Sequence, residues 1–131
     1  MSSRLSDAET GARVAGPHLG VVAIVFTILF NLGLYFVVSF SAAKPHFPGP
    51  WDSADTIVSY FQANSWSALM CSFFHFGAAI SLGIFTASVV NQLRFLGVRA
   101  AGIYIALFGG LLTAFDIAAS AHTLWVMAFP I

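Results

Sequence analysis

Three long stretches of apolar residues, separated by short polar or proline-containing segments, dominate the pattern along this chain. They cover about residues 18–41, 65–91 and 98–123. About 20 consecutive apolar residues in a helix are needed to cross the hydrocarbon core of a bilayer. The pattern therefore predicts an all-α membrane protein with three transmembrane helices. It places them in one helical membrane domain, 18–131, after a polar N-terminal segment, 1–17.

The segment between the first two stretches predicts a loop and a short helix within 42–64. Pro45, Pro48 and Pro50 prevent the first helix from continuing, because proline lacks a backbone N–H and clashes with the preceding turn. Asp52 is predicted to be the N-cap of a short amphipathic helix that ends near Asn64. Its apolar face consists of Ala54, Ile57, Val58 and Phe61. We expect this helix to lie in the headgroup layer, since it is too short and too polar to span.

Composition supports the membrane assignment and excludes several classes of function. Of the 131 residues, 59% are hydrophobic and only 8% are charged, so too few polar residues remain to cover a soluble globule. The formal net charge is zero, which argues against a nucleic-acid-binding surface. Cys71 is the only cysteine, so an internal disulfide is impossible.

The distribution of basic residues predicts the orientation. Arg4 and Arg13 precede the first stretch, and Arg94 and Arg99 lie between the second and third, whereas the 42–64 loop contains only Lys44. Lysine and arginine concentrate in cytoplasmic loops. The N-terminal segment and the 91–99 turn are therefore predicted to be cytoplasmic, the 42–64 loop extracytoplasmic, and the protein a multi-pass protein of the inner membrane.

Small residues spaced four apart predict how the helices pack. The second stretch contains Ala79, Gly83 and Ala87; the third contains Gly102, Ala106, Gly110 and Ala114. Such ridges let membrane helices approach closely, so we expect an antiparallel hairpin that crosses near −40°. In the first stretch a small and polar stripe is predicted to face other helices, and an apolar set to face lipid. The stripe is Ala23, Thr27, Asn31 and Tyr35, and the apolar set is Ile24, Phe26, Leu29 and Phe36.

Three polar residues within the spans are candidates for an intramembrane site: His75, Asp116 and Asn31. Ionisable side chains are costly in lipid and are functional candidates by default. His75 and Asp116 lie at compatible depths, so a hydrogen bond between them is one hypothesis. Asp116 bonded to neighbouring hydroxyls, and His75 as a bonded structural histidine, are the alternatives.

The chain contains no motif typical of an enzyme: no phosphate-binding glycine loop, no paired histidines at metal-ligand spacing and no Ser-His-Asp order. The leading hypothesis is a non-enzymatic membrane protein that acts through helix–helix contacts, as an accessory subunit or a homo-oligomer. Two alternatives stay open. One is a membrane anchor that binds haem or quinone at His75 and Asp116. The other is half of a transporter with Asn31 and Asp116 on its polar path.

Three runs of sequence also resemble a group of uncharacterised bacterial multi-pass inner-membrane proteins. The runs are FGAAISLGIFTA at 76–87, RFLGVRAAG at 94–102 and LFGG at 107–110. The resemblance extends over roughly 12–128, and it implies a helical membrane fold without any known activity, cofactor or site residue. Members of the group continue into further helices, so the resemblance implies a short or truncated member.

Overall fold

The computed structural model of the protein describes residues 16–38 and 46–129. These residues form three α-helices, α1 (Leu19–Val37), α2 (Ala54–Phe95) and α3 (Gly102–Ala128), and no strand. Each helix is long and apolar enough to cross a membrane. The predicted all-α architecture with three spans is confirmed, and it indicates a multi-pass membrane protein. The 1–15 part of the N-terminal segment, and residues 39–45 at the end of the first predicted span and in the following loop, lie outside the described residues.

Helix α2 contains 42 residues and joins two elements that were expected to be separate. Its regular geometry is interrupted at Asn64, where φ is −125° and ψ is 24°. The Asn64 side-chain amide donates a hydrogen bond to the Tyr60 carbonyl at 3.0 Å. The interruption falls where the short helix was expected to end. The location of residues 54–63 in the headgroup layer stays a prediction.

The N-cap of α2 is Ser53, so the prediction of Asp52 is wrong by one residue. The Ser53 hydroxyl accepts a hydrogen bond from the Thr56 backbone N–H at 3.3 Å. The Asp52 carboxylate instead accepts one from the Gly49 N–H at 2.7 Å, and the Asp52 N–H donates to the Gly49 carbonyl. Asp52 thus closes the preceding turn, a role that its short polar side chain also suits.

A glycine ends α2 and reverses the chain toward α3. Gly97 has a positive φ of 79°, its N–H donates to the Arg94 carbonyl, and the Val98 N–H donates to the Leu93 carbonyl. This is the Schellman arrangement, in which glycine adopts the left-handed conformation at no steric cost. The chain turns back within a few residues and α3 begins at Gly102.

Helix α2 is the centre of the bundle. Both α1 and α3 pack along it, but within the described residues no Cα atom of α1 lies within 8 Å of one in α3. Three contacts fix the direction of α3: Ala68 packs near Ala128, the Ser72 hydroxyl donates to the Ala121 carbonyl, and Thr86 lies against Gly110. Because α2 residues later in the chain meet α3 residues earlier in it, the predicted antiparallel hairpin is present.

The face that α3 turns toward α2 differs from the predicted ridge. Gly110 and Ala114 lie at the interface, but Gly102 and Ala106 are exposed. The more buried positions instead alternate in steps of four and three: Ile103, Leu107, Gly110, Ala114, Ile117, Ala121, Leu124 and Ala128. An average repeat of 3.5 residues is typical of left-handed packing near +20° and not of the predicted −40°.

The same correction applies to α2, and its cause is geometric. Ala79 is buried, whereas Ala87 is exposed, and a Cβ added to Gly83 would have no neighbour within 4 Å. Each step of four residues turns about 40° beyond a full helical turn. A strict ridge therefore drifts off the interface within three steps, while alternating steps of four and three stay on it.

Candidate functional site

The space between α1 and α3 is a groove, and the end of it beside segment 46–50 contains a cavity of about 800 Å³. Leu34 and Val38 of α1 form one wall, Ser120 and Thr123 of α3 form the other, and His75 of α2 lies between them. Segment 46–50, which precedes α2, also lines the cavity. Most lining side chains are apolar and a few can form hydrogen bonds. This combination is typical of sites for small molecules.

The groove continues beyond the cavity between two polar walls. Thr27 and Asn31 lie seven residues before Leu34 and Val38, and Thr113 and Asp116 lie seven residues before Ser120 and Thr123. Seven residues are close to two full turns, so each earlier residue lies on the same side of its helix as the cavity-lining one. All four earlier residues are exposed in the single chain.

The positions of Thr27 and Asn31 correct the prediction for α1. Thr27 and Asn31 are exposed and do not form the contact with α2, because side chains that were expected to face lipid pack there instead. Phe36 stacks on Phe74 with ring centroids 5.8 Å apart, and Leu29 lies beside Gly77. Large apolar side chains thus form the contact with α2. Only Ile24 of the expected lipid-facing set is exposed, while Phe26, Leu29 and Phe36 are half-buried.

His75 is held by α1 through three contacts. Its Nε2 lies 3.3 Å from the Phe30 carbonyl oxygen, and its ring stacks on the Phe30 ring with centroids 4.9 Å apart. Gly33 leaves the room for this, because a Cβ there would lie 2.6 Å from His75 Cδ2. A carbonyl can only accept, so Nε2 carries the proton and donates. The neutral ring then has a bare Nδ1, which lies 3.5 Å from the Cys71 sulfur and accepts from its thiol.

This arrangement does not fit a haem ligand. An axial histidine must present a bare nitrogen toward open space beside the macrocycle. Here Nε2 is protonated and bonded to Phe30, and Nδ1 faces the thiol of Cys71, which is 1% exposed. Iron ligation by His75 would break one of these bonds and displace the stacked ring. These contacts do not argue against a quinone, since a quinone needs only a hydrogen-bond donor and apolar walls.

His75 and Asp116, which the sequence suggested as a pair, are not partners. His75 bonds to α1 and to its own helix, whereas Asp116 is exposed on the groove side of α3. Asn31 is also exposed, and its amide donates to the Thr27 carbonyl one turn earlier at 2.8 Å. The three candidates therefore lie around one groove without touching each other. Within the described residues, no group of three or more histidine, cysteine or acidic side chains could hold a metal ion.

Sequence reasoning missed two residues that shape this site. Gly33 makes room for the His75 ring, and Thr123 lines the cavity beside segment 46–50 together with Ser120. The seven-residue spacing from Asp116 to Thr123 was a usable signal for Thr123. No sequence signal distinguishes Gly33 from the other glycines, because its role depends on which α2 side chain lies opposite.

Comparison of the chain with protein-family models, with curated proteins and with solved structures finds no match. The resemblance to bacterial inner-membrane proteins described above stays a prediction. Any proposal about function must therefore come from the groove itself.

Proposed function

We propose that this protein is a subunit of a membrane assembly and acts through helix–helix contacts, with the groove between α1 and α3 receiving a helix of another subunit. The observation that carries the proposal is the exposure of polar side chains on both walls of the groove. Within the described chain no Cα atom of α1 lies within 8 Å of one in α3, so the two walls are not packed closely against each other.

The cost of leaving these walls in lipid supports an occupant. An aspartate at the centre of a membrane helix costs about 2.5–3.5 kcal/mol on insertion scales. Asp116 lies about 14 residues, or roughly 21 Å, from the start of α3 at Gly102. A helix with a polar or small face in the groove would replace lipid contacts with hydrogen bonds to Thr27, Thr113 and Asp116. Such bonds contribute about 1 kcal/mol each between membrane helices.

The exposed residues on the side of α3 away from the groove are aromatic and not polar. Phe108 and Phe115 are about 70% exposed and also seven residues apart, so they form an aromatic face suited to lipid. A subunit that met its partners through any part of α3 would not need this division. A partner in the groove would therefore lie close to Thr113, whereas a partner on the aromatic face would lie close to Phe115.

Cysteine cross-linking in native membranes tests the proposal. Thr113→Cys and Phe115→Cys, each made in a Cys71→Ser background, place one thiol in the groove and one on the aromatic face. We expect a short bifunctional thiol reagent, or an amine–thiol reagent for partners without cysteine, to join only Thr113→Cys to a second chain. A single-chain mass in lipid nanodiscs, together with no cross-link from either position, would contradict the proposal.

A second candidate function is the binding of a small amphipathic molecule such as a quinone in the cavity beside segment 46–50, and its volume of about 800 Å³ favours it. Haem is the weaker ligand because both His75 nitrogens are engaged. The test is titration of the purified protein with a short-chain quinone, followed by quenching of tryptophan fluorescence. We expect Ser120→Phe, which fills the cavity, to weaken the quenching, while Phe115→Leu on the outer face leaves it unchanged.

A further inference from the structure

A second cavity lies at the opposite end of the bundle, where α2 turns into α3. Its volume is about 350 Å³. Arg94, Val98, Arg99, Ala100, Ile103 and Tyr104 line it. The Gly97 turn described above places Arg94, in the last turn of α2, and Arg99, just before α3, at the same cavity. Two arginines thus line one small cavity.

The positive charge of this site is not neutralised by the described part of the chain. Asp52 and Asp55 lie at the other end of α2, and Asp116 lies about 12 residues, or roughly 18 Å, beyond Tyr104 along α3. Neither the Arg94 nor the Arg99 guanidinium has a hydrogen bond or ion pair within residues 16–38 and 46–129. Both guanidinium groups are therefore available to an anion from outside this part of the chain.

The surroundings of the arginines are those expected at the depth of lipid headgroups. Phe95, Leu96 and Tyr104 are all more than 60% exposed. Helix α3 has 27 residues, more than the ~20 that cross the hydrocarbon core, so its first turn extends toward the headgroup layer. Exposed tyrosine is typical of that layer. The anion that is abundant there is the lipid phosphate.

We propose that Arg94 and Arg99 bind the phosphate of an anionic phospholipid, with Tyr104 beside the headgroup and Val98 and Ile103 against the glycerol and the first methylene groups. The planar guanidinium presents paired N–H donors that match phosphate oxygens. Basic pockets between membrane helices are suited to such headgroups. A lipid with net negative charge is favoured over a zwitterionic one, because the latter adds a cation near the two arginines. This proposal is independent of the occupant of the groove.

Native mass spectrometry of the detergent-solubilised full chain tests it directly. The probes are phosphatidylglycerol and phosphatidylcholine with identical palmitoyl and oleoyl chains, so that only the headgroup differs. We expect one tightly bound phosphatidylglycerol per chain and a clear preference over phosphatidylcholine. A basic residue near an anionic surface contributes about fivefold in affinity. The Arg94→Gln, Arg99→Gln double variant should therefore lower the phosphatidylglycerol affinity about 30-fold.

Three controls test whether lipid binding depends on the two guanidinium groups at this cavity. Lys44→Gln removes a positive charge elsewhere, and we expect it to change the affinity less than twofold. The Arg94→Lys, Arg99→Lys double variant keeps the charge but loses the paired donors, so an intermediate loss is expected; it also serves if the glutamine variant fails to fold. Inorganic phosphate should not displace the lipid, since it lacks the acyl chains that hold the headgroup at this depth.

Each contrary result would overturn the assignment. Unchanged lipid affinity in the glutamine double variant would show that the arginines do not bind the headgroup. An equal loss in Lys44→Gln would show a general charge effect. Displacement by millimolar inorganic phosphate would assign the site to a soluble phosphate compound, and equal binding of both lipids would remove the role of the headgroup charge.

Discussion

The two interfaces of α2 hold their partner helices by different means. Toward α3 the contacts are made by small residues: Ala68 near Ala128, and Thr86 against Gly110. The described hydrogen bond between these two helices runs from the Ser72 hydroxyl to a backbone carbonyl. Small residues let the two backbones approach, so the attraction comes from close packing along the whole α2–α3 interface. We call this interface, whose buried positions repeat every 3.5 residues on average, the seam.

Toward α1 the contacts are made by rings. Phe30 stacks on His75 and Phe36 stacks on Phe74, and Gly33 provides a close approach of the α1 backbone. Aromatic pairs contribute about 0.5–1.5 kcal/mol each beyond the area that they bury. The α1–α2 interface therefore depends on a few specific pairs.

The difference teaches that hydrophobicity does not select helix partners in lipid. Lipid tails are as apolar as leucine, so a helix needs either close backbone approach or specific side-chain contacts to associate. At the α2–α3 interface, the cost of a substitution should therefore depend on the distance between the two backbones. At the α1–α2 interface, it should depend on contact with a single aromatic or histidine ring.

The largest effect is expected where the seam is tightest. Gly110→Ile would drive a branched side chain into Thr86, and we expect the free energy of unfolding to fall by about 3 kcal/mol. Gly109→Ile is the matched control, because a Cβ at Gly109 has no neighbour within 4 Å. Unfolding in mixed micelles containing sodium dodecyl sulfate, followed by circular dichroism, measures both. Equal losses at the two glycines would break the distinction between the seam and the outer face.

A smaller loss, about 2 kcal/mol, is expected for Gly33→Ala at the α1 interface. The added Cβ would lie 2.6 Å from His75 Cδ2 and 3.2 Å from the Cys71 carbonyl oxygen. The same unfolding assay applied to a double-mutant cycle with His75→Ala identifies the cause. Removing the ring should recover about half of the penalty, whereas additive losses would show that Gly33 matters for another reason. Gly83→Ala, where a Cβ meets nothing within 4 Å, is the control.

These interfaces also show what the sequence could and could not predict. The apolar stretches predicted three spanning helices, because length and composition decide that property. The face of each helix depends on the angle per residue, and strict spacing of four drifts around the helix. Gly102 and Ala106 were therefore assigned to the α2–α3 interface although both are exposed, while Gly110 and Ala114 were assigned to it correctly.

The sequence predicted which polar residues lie at the candidate site, but not which groups they bind. Asn31, His75 and Asp116 stand out as polar groups in apolar stretches, and all three lie at the groove or at the cavity that opens from it. The partner of His75 is a backbone carbonyl of Phe30, and carbonyls carry no sequence signal. The sequence could therefore offer a bonded structural histidine as an alternative to the His75–Asp116 pair, but it could not name the partner.

Ser72→Ala removes the hydrogen bond to α3, and we expect a loss of about 1 kcal/mol because the Ala121 carbonyl is already bonded within its own helix. Ser81→Ala is the matched control, since the Ser81 hydroxyl donates to the Gly77 carbonyl of its own helix at 3.0 Å. The control should change the free energy of unfolding by less than about 0.5 kcal/mol. Equal effects of the two substitutions would show that the bond to α3 adds nothing to helix association.

The smallest effect is expected at Thr113, and its dependence on assembly makes it informative. The Thr113 hydroxyl donates to the Gly109 carbonyl of its own helix at 2.8 Å, and the side chain is exposed. Thr113→Val should change the stability of the detergent-isolated single chain by less than about 0.5 kcal/mol. If a partner helix occupies the groove, the same substitution should weaken the assembly by about 1 kcal/mol, measured from the chain concentration at half-dissociation in nanodiscs. A loss already present in the isolated chain would mean that Thr113 packs within it, and the polar wall of α3 could not be the surface left open for a partner.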